Sequence, residues 1–175
     1  MNRRSLVLPL AALLLTACSS DAARNPLAPS GSILAARGSG VTAMQAKSIH
    51  GTLEAVETGV LQPGTTLIVT HLEGEGTASH LGRYTAVADF TVNFATASGS
   101  GRFTFTAANG DILTGTDIGQ AVVTAGIAAV TETITIMDGT GRFANATGTI
   151  TLVRRVVQAT GVSSGSFDGT IYLAK

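Results

Sequence analysis

From Lys47 onward, apolar and polar residues alternate along the chain. Tyr84, Ala86, Ala88, Phe90, Val92 and Phe94 share one parity, and Arg83, Thr85, Asp89, Thr91 and Asn93 share the other. A period of two with one apolar side describes a half-buried β-strand. Phe103 and Phe105 alternate with Arg102, Thr104 and Thr106, and Val130, Ile134 and Ile136 alternate with Thr131, Thr133 and Thr135. Phe167, Gly169, Ile171 and Leu173 end the chain in the same way. The pattern predicts about eight strands, near 48–57, 66–79, 83–95, 101–108, 111–118, 121–137, 146–158 and 165–173. Asn109-Gly110 predicts a type I′ hairpin turn, which needs positive φ at both central residues. The longest segments must bend, and Gly126 and the Gly74/Gly76 pair are the expected bulges or kinks.

Three short segments echo one another: Gly82-Arg83-Tyr84, Gly101-Arg102-Phe103 and Gly141-Arg142-Phe143. The last two extend to Gly-Ser-Gly-Arg-Phe (99–103) and Gly-Thr-Gly-Arg-Phe (139–143). Each is expected to open a strand, with the glycines making the turn, Arg at the wet rim and the aromatic plugging the end of an apolar interior. Eight short-looped antiparallel strands leave two unpaired edges unless the sheet closes. The expected fold is therefore all-β, an eight-stranded antiparallel up-and-down barrel. A parallel solenoid would need a repeat of about 20–25 residues through the domain, and none is present.

Composition agrees with this picture. The 175 residues include 21 glycines and 25 threonines but no Trp, which points to β-structure with many tight turns. Only 13% are charged, which disfavours a long solvated helix. Eleven Lys and Arg balance eleven Asp and Glu, so the basic surface that nucleic acid requires is missing and no nucleic-acid partner is expected.

The N-terminus carries an address. Arg3 and Arg4 precede an apolar stretch, Ser5 to Leu15, that is too short for the roughly 20 residues of a membrane-spanning helix. This reads as a secretion signal. Leu15-Thr16-Ala17-Cys18 resembles the lipobox of bacterial lipoproteins, and Cys18 is the only cysteine in the chain. The resemblance implies cleavage before Cys18, lipidation of its thiol and a membrane partner through the acyl chains. With Ser19 behind the cysteine, it implies an outer-membrane location in the cell envelope. Residues 19–46 are rich in Ser, Ala, Gly and Pro without an apolar period, and read as a flexible tether. The expected organisation is a signal peptide at 1–17, a lipidated Cys and tether at 18–46, and one β-barrel domain at 47–175.

Four segments, Ser79 to Thr85, Thr106 to Asp111, Gly139 to Gly148 and Gly165 to Ile171, together resemble a bacterial group related to allene oxide cyclase-like barrels. Plant allene oxide cyclases and dirigent proteins are its more distant relatives. The resemblance runs from about Ile49 to the end. It implies a calycin-type barrel with an apolar cavity, holding a reactive lipid-derived or phenolic ligand in one conformation. It places no catalytic residue on this chain. Asp138 stands where the group commonly has Gly, and the interior cysteine of the plant cyclases has no counterpart here.

Candidate chemistry is sparse. His50, His71 and His80 lack metal-ligand spacing, so no metal is expected. No nucleophile elbow, phosphate loop or dinucleotide fingerprint is present, and no cofactor is expected. Arg83, Arg102 and Arg142 read as solvated strand ends before they read as an anion-binding rim. Glu132 has the parity of Val130, Ile134 and Ile136, and Arg154 has that of Ile150, Leu152 and Val156. If those faces point inward, the two meet inside the barrel and offer a ligand one polar spot. If a bulge near Gly126 flips the register, both are solvated. Charged residues are rarely buried, which favours the second alternative. Three functions follow: a small-molecule binding module, a structural module filled by its own side chains, or an isomerase or cyclase.

Overall fold

The computed structural model describes residues 43–175. The lipobox, Cys18 and most of the expected tether lie outside the described residues. Eight antiparallel strands, Met44–Leu61 (β1), Leu67–Ala78 (β2), Gly82–Asn93 (β3), Ser98–Ala107 (β4), Ile112–Thr124 (β5), Ile127–Gly139 (β6), Thr147–Val157 (β7) and Val162–Ala174 (β8), close in sequence order into a barrel. The closing seam pairs β1 with β8 from Met44↔Ala174 to Val56↔Val162. It removes both sheet edges. β1 begins three residues ahead of the expected boundary at Lys47.

The two ends of the barrel differ. One end carries the β2–β3, β4–β5 and β6–β7 connections and both chain ends of the barrel. Leu81, Phe143 and Ala146 from those connections are buried and plug it. Beneath the plug, Tyr84, Phe103, Phe105 and Phe167 fill the interior. Tyr84 meets Phe105 edge-on at 5.1 Å between ring centroids, and Phe105 stacks on Phe167 at 5.9 Å. The Tyr84 hydroxyl donates to the Thr52 carbonyl at 2.7 Å, and burial pushes its pKa up.

An eight-stranded barrel is only just wide enough for its side chains. Large inward residues are therefore set opposite inward glycines. Gly76 pairs with Tyr84, and a Cβ there would lie 2.8 Å from the tyrosine oxygen. Gly115 pairs with Phe103, where the corresponding distance to the ring is 2.9 Å. Many of the glycines thus supply interior space rather than turns.

Several sequence expectations need correction. Gly82-Arg83-Tyr84 does open β3, but Gly101-Arg102-Phe103 lies inside β4 and Gly141-Arg142-Phe143 forms a short 3₁₀ turn. The two echoing pentapeptides sit at opposite ends of the barrel. Their shared feature is the buried aromatic behind an exposed Arg, since Tyr84, Phe103 and Phe143 are all buried. Gly126 makes no bulge. It forms a two-residue β5–β6 turn with Ala125, at φ of 77° and 50°, and so splits the long segment expected at 121–137. Gly74 and Gly76 lie in unbroken register with both neighbouring strands. Among the described residues, the one register shift falls between Thr114 and Gly115, opposite Met137, which is left unpaired on β6. Asn109-Gly110 does mark a connection, but only Gly110 has positive φ, and the Gly110 amide bonds back to the Ala107 carbonyl at 2.8 Å.

Candidate functional site

At the end opposite the plug, the barrel is open. The β1–β2, β3–β4, β5–β6 and β7–β8 connections surround a cavity of about 350 Å³, within the usual range for small-molecule sites. Its upper wall is apolar, with Ile68, Val92, Phe94, Ala121, Val123 and Val130 among its residues. Phe94 continues the apolar parity of β3, but it lies beyond the strand end at the mouth and is 53% exposed.

The floor of the cavity is charged. Glu132 from β6 and Arg154 from β7 meet there, with Glu132 opposite the buried Leu152 and Arg154 opposite Val130. They are 7% and 3% exposed. Arg154 Nε donates to Glu132 Oε2 at 2.8 Å and Nη2 to Oε1 at 2.7 Å, a bidentate pairing that fixes both side chains. Nη1 donates to Ser163 Oγ at 3.1 Å and also to Glu57. The guanidinium lies 5.8 Å from the Phe90 ring centroid. The expectation that both residues are solvated is thus corrected: the turn at Ala125-Gly126 leaves the parity of β6 intact. Arg155, the next residue, is exposed on the outer face.

Glu57 and Asp117 escaped the sequence reading. Glu57 continues the inward parity of Leu53 and Ala55 on β1. Burial raises its pKa, and the Arg154 charge works against that rise. Burial of Arg154 lowers its own pKa, but its bonds to Glu132 and the charges of both carboxylates outweigh that and hold it protonated. Asp117 is 7% exposed, and its Oδ1 is buried without a hydrogen-bond partner. Burial, with the Glu132 charge adding to it, pushes its pKa up to about 6. Asp117, Glu132 and Arg154 also border a void of about 30 Å³ beneath them, so the charged layer separates the open cavity from the aromatic plug.

Glycines make room for this layer. Gly119 is opposite Glu132, and a Cβ there would come within 2.7 Å of Glu132 Cγ. Arg154 clamps that carboxylate, so it cannot give way. Gly119→Ala is expected to lower stability by about 1–3 kcal/mol. Gly99→Ala, where the added Cβ would sit at an ordinary 3.4 Å, is expected to lower it much less. Urea unfolding of the two variants checks this; equal losses would mean that the floor is not tightly packed.

The remaining candidates are peripheral. Arg83, Arg102 and Arg142 are exposed. Arg142 lies 3.7 Å from Asp111, and no contact joins the three arginines into a rim. His71 sits on the outer face beside Asp89 at 2.7 Å, and that hydrogen bond, with a weaker one to Glu73, raises its pKa. The His80 ring contacts the Ser48 carbonyl at 3.1 Å, and His50 Nδ1 lies 3.5 Å from Ser79 Oγ.

No protein-family model and no curated protein matches this chain. Solved structures do. The pterocarpan synthase dirigent protein GePTS1 superposes with a TM-score of 0.58 at 15% identity, over 75% of this chain and 87% of that one. The barrel is dirigent-like. A second such protein, the pterocarpan synthase dirigent protein PsPTS1, gives a TM-score of 0.57 at 15% identity, over 75% of this chain and 97% of that one. At this identity the likeness establishes the dirigent-like fold alone, and function must be argued from the cavity.

Proposed function

We propose that this protein is a bacterial envelope lipoprotein, anchored to the outer membrane through Cys18, whose barrel holds one small, mainly apolar molecule. The observation that carries the binding reading is the open cavity, largely apolar at its wall and with its charged groups gathered at the floor. A barrel serving only as a structural module has no reason to leave that half unfilled while aromatics pack the other half. The anchoring reading rests on the Leu15-to-Cys18 resemblance. In this role the wall takes the apolar body of the ligand, and the Glu57, Glu132, Arg154 and Asp117 floor takes its polar end. The plug prevents passage through the barrel.

A second reading, an isomerase or cyclase acting on a lipid-derived or phenolic substrate, is favoured by Asp117. A buried carboxyl with a pKa of about 6 can hold or release a proton near neutral pH. Native mass spectrometry of residues 19–175, exported without the lipidated cysteine and purified from envelope extract without detergent, tests the binding reading. A retained small molecule supports it, and turnover of that molecule favours the second reading. A clean apo mass, together with no uptake of an apolar dye, would overturn both.

A further inference from the structure

We infer that the cavity selects a small apolar molecule bearing one positive charge, such as a protonated primary amine, and that Asp117 receives the charged end. This inference rests on the cavity being a binding site.

The first argument is charge. The cavity is lined by three carboxylates, Glu57, Asp117 and Glu132, and one cation, Arg154. No Lys or His joins the lining among the described residues. With all groups ionised, the floor carries an excess of negative charge on side chains that are largely buried. Such an excess is unfavourable unless a cation enters or a carboxylate takes up a proton.

The second argument is geometry. Arg154 commits four of its five N–H donors to Glu132, Glu57 and Ser163. None of these bonds goes to Asp117. Asp117 is more than nine-tenths buried and borders the cavity, and its Oδ1 has no partner. An unpartnered buried acceptor beside a cavity is the counterpart of a ligand donor. A protonated amine supplies the donor and the missing charge together. An anion would meet three carboxylates, and a purely apolar molecule would leave Oδ1 unpaired.

The third argument is the response to pH. Around Asp117, β6 contributes Glu132, β7 Arg154 and β1 Glu57, while β2, β3, β4 and β8 contribute Thr70, Phe90, Phe103 and Ser163, which do not titrate in the working range. Protonation of Asp117 as pH falls through about 6 removes the charge that the amine seeks. Selectivity for the cation therefore weakens in acid.

The test uses three fluorescent probes of similar size with the full-length protein: naphthylmethylamine, ethylnaphthalene and naphthoate. Expected is at least about tenfold tighter binding of the amine than of ethylnaphthalene near neutral pH, with naphthoate the weakest. In Asp117→Asn the amine preference is expected to fall to within about threefold. In the unmodified protein it is expected to shrink as pH is lowered to about 5, where the amine itself stays protonated. The pH profile needs no variant, so the test does not depend on how Asp117→Asn folds. If ethylnaphthalene or naphthoate binds as tightly as the amine, or Asp117→Asn keeps the preference, the inference is overturned and the cavity reading stands. If none of the three binds, both are overturned.

Discussion

Replacing Arg154 by Met is expected to destabilise the barrel by about 3–5 kcal/mol near neutral pH, because two carboxylates are then left inside without a cation. Arg154 is the shared partner of Glu132 and Glu57 and is itself almost fully buried. The loss has a definite pH dependence. Without the guanidinium, burial raises the Glu57 pKa unopposed, so Glu57 is protonated more readily in the folded state than in the unfolded chain. A carboxyl whose folded pKa is raised contributes full stability below its unfolded pKa and loses it as pH rises through the folded value. The variant should therefore approach the unmodified protein as pH falls toward about 5 and diverge from it above neutrality. Replacing all three charges with apolar residues of similar size should recover most of the loss, since the desolvation cost disappears with the charges. Urea unfolding at several pH values measures each effect. A loss for Arg154→Met below about 1 kcal/mol, the size of an exposed ion pair, would mean that the floor is solvated.

Asp117→Asn should have the opposite sign. The folded-state pKa of Asp117 is about 6 against an ordinary 3.8. The folded protein therefore holds this proton more tightly than the unfolded chain does. Stability falls as pH rises from about 4 to about 6 and stays reduced above that. Two pH units correspond to a ceiling of roughly 3 kcal/mol. The uncharged amide removes that penalty, so the variant is expected to gain about 1–3 kcal/mol above neutrality and almost nothing near pH 4. The stability profile should also flatten between those limits. A parallel downward shift of the whole profile would mean that the ionised carboxylate has a partner and is stabilising. A gain in stability with a loss of amine binding would be the usual exchange of stability for function at a binding site.

The charged floor was only half legible in the sequence. Glu132 and Arg154 sit in runs whose apolar neighbours declare the inner face, so parity makes their meeting one of two readings, and the rarity of buried charge weighs against it. Glu57 gives no such signal. It follows Leu53 and Ala55 on the inner face, but Val56 on the outer face and Gly59 beyond it blur the alternation. Its contact with Arg154 spans 97 positions in the chain. That contact depends on closing β1 against β8, which brings the first strand within one strand of the seventh. Asp117 was hidden by a local inversion. Ile118 is 63% exposed while Asp117 beside it is buried, so hydrophobicity points to the wrong face of β5. The register shift opposite Met137 lies within the same pair of strands, beside Gly115 on β5.

What the sequence determined by itself was the period of two, the number of strands, their antiparallel order and the closure of the sheet. Those properties are local, or follow from edges that must not be left open. It also determined the buried aromatic behind each Gly-Arg pair, because large apolar side chains avoid water whether the backbone runs as strand or turn. Only the tertiary structure decided which end of the barrel is filled and which is open. It also decided that inward glycines serve as space for large neighbours, and that two carboxylates share one guanidinium while a third, Asp117, keeps an unpartnered oxygen beside them. The physical reason is that interior volume and charge balance belong to the closed barrel as a whole. Each inward side chain is accommodated or neutralised by residues on other strands, and no single strand's sequence contains that sum.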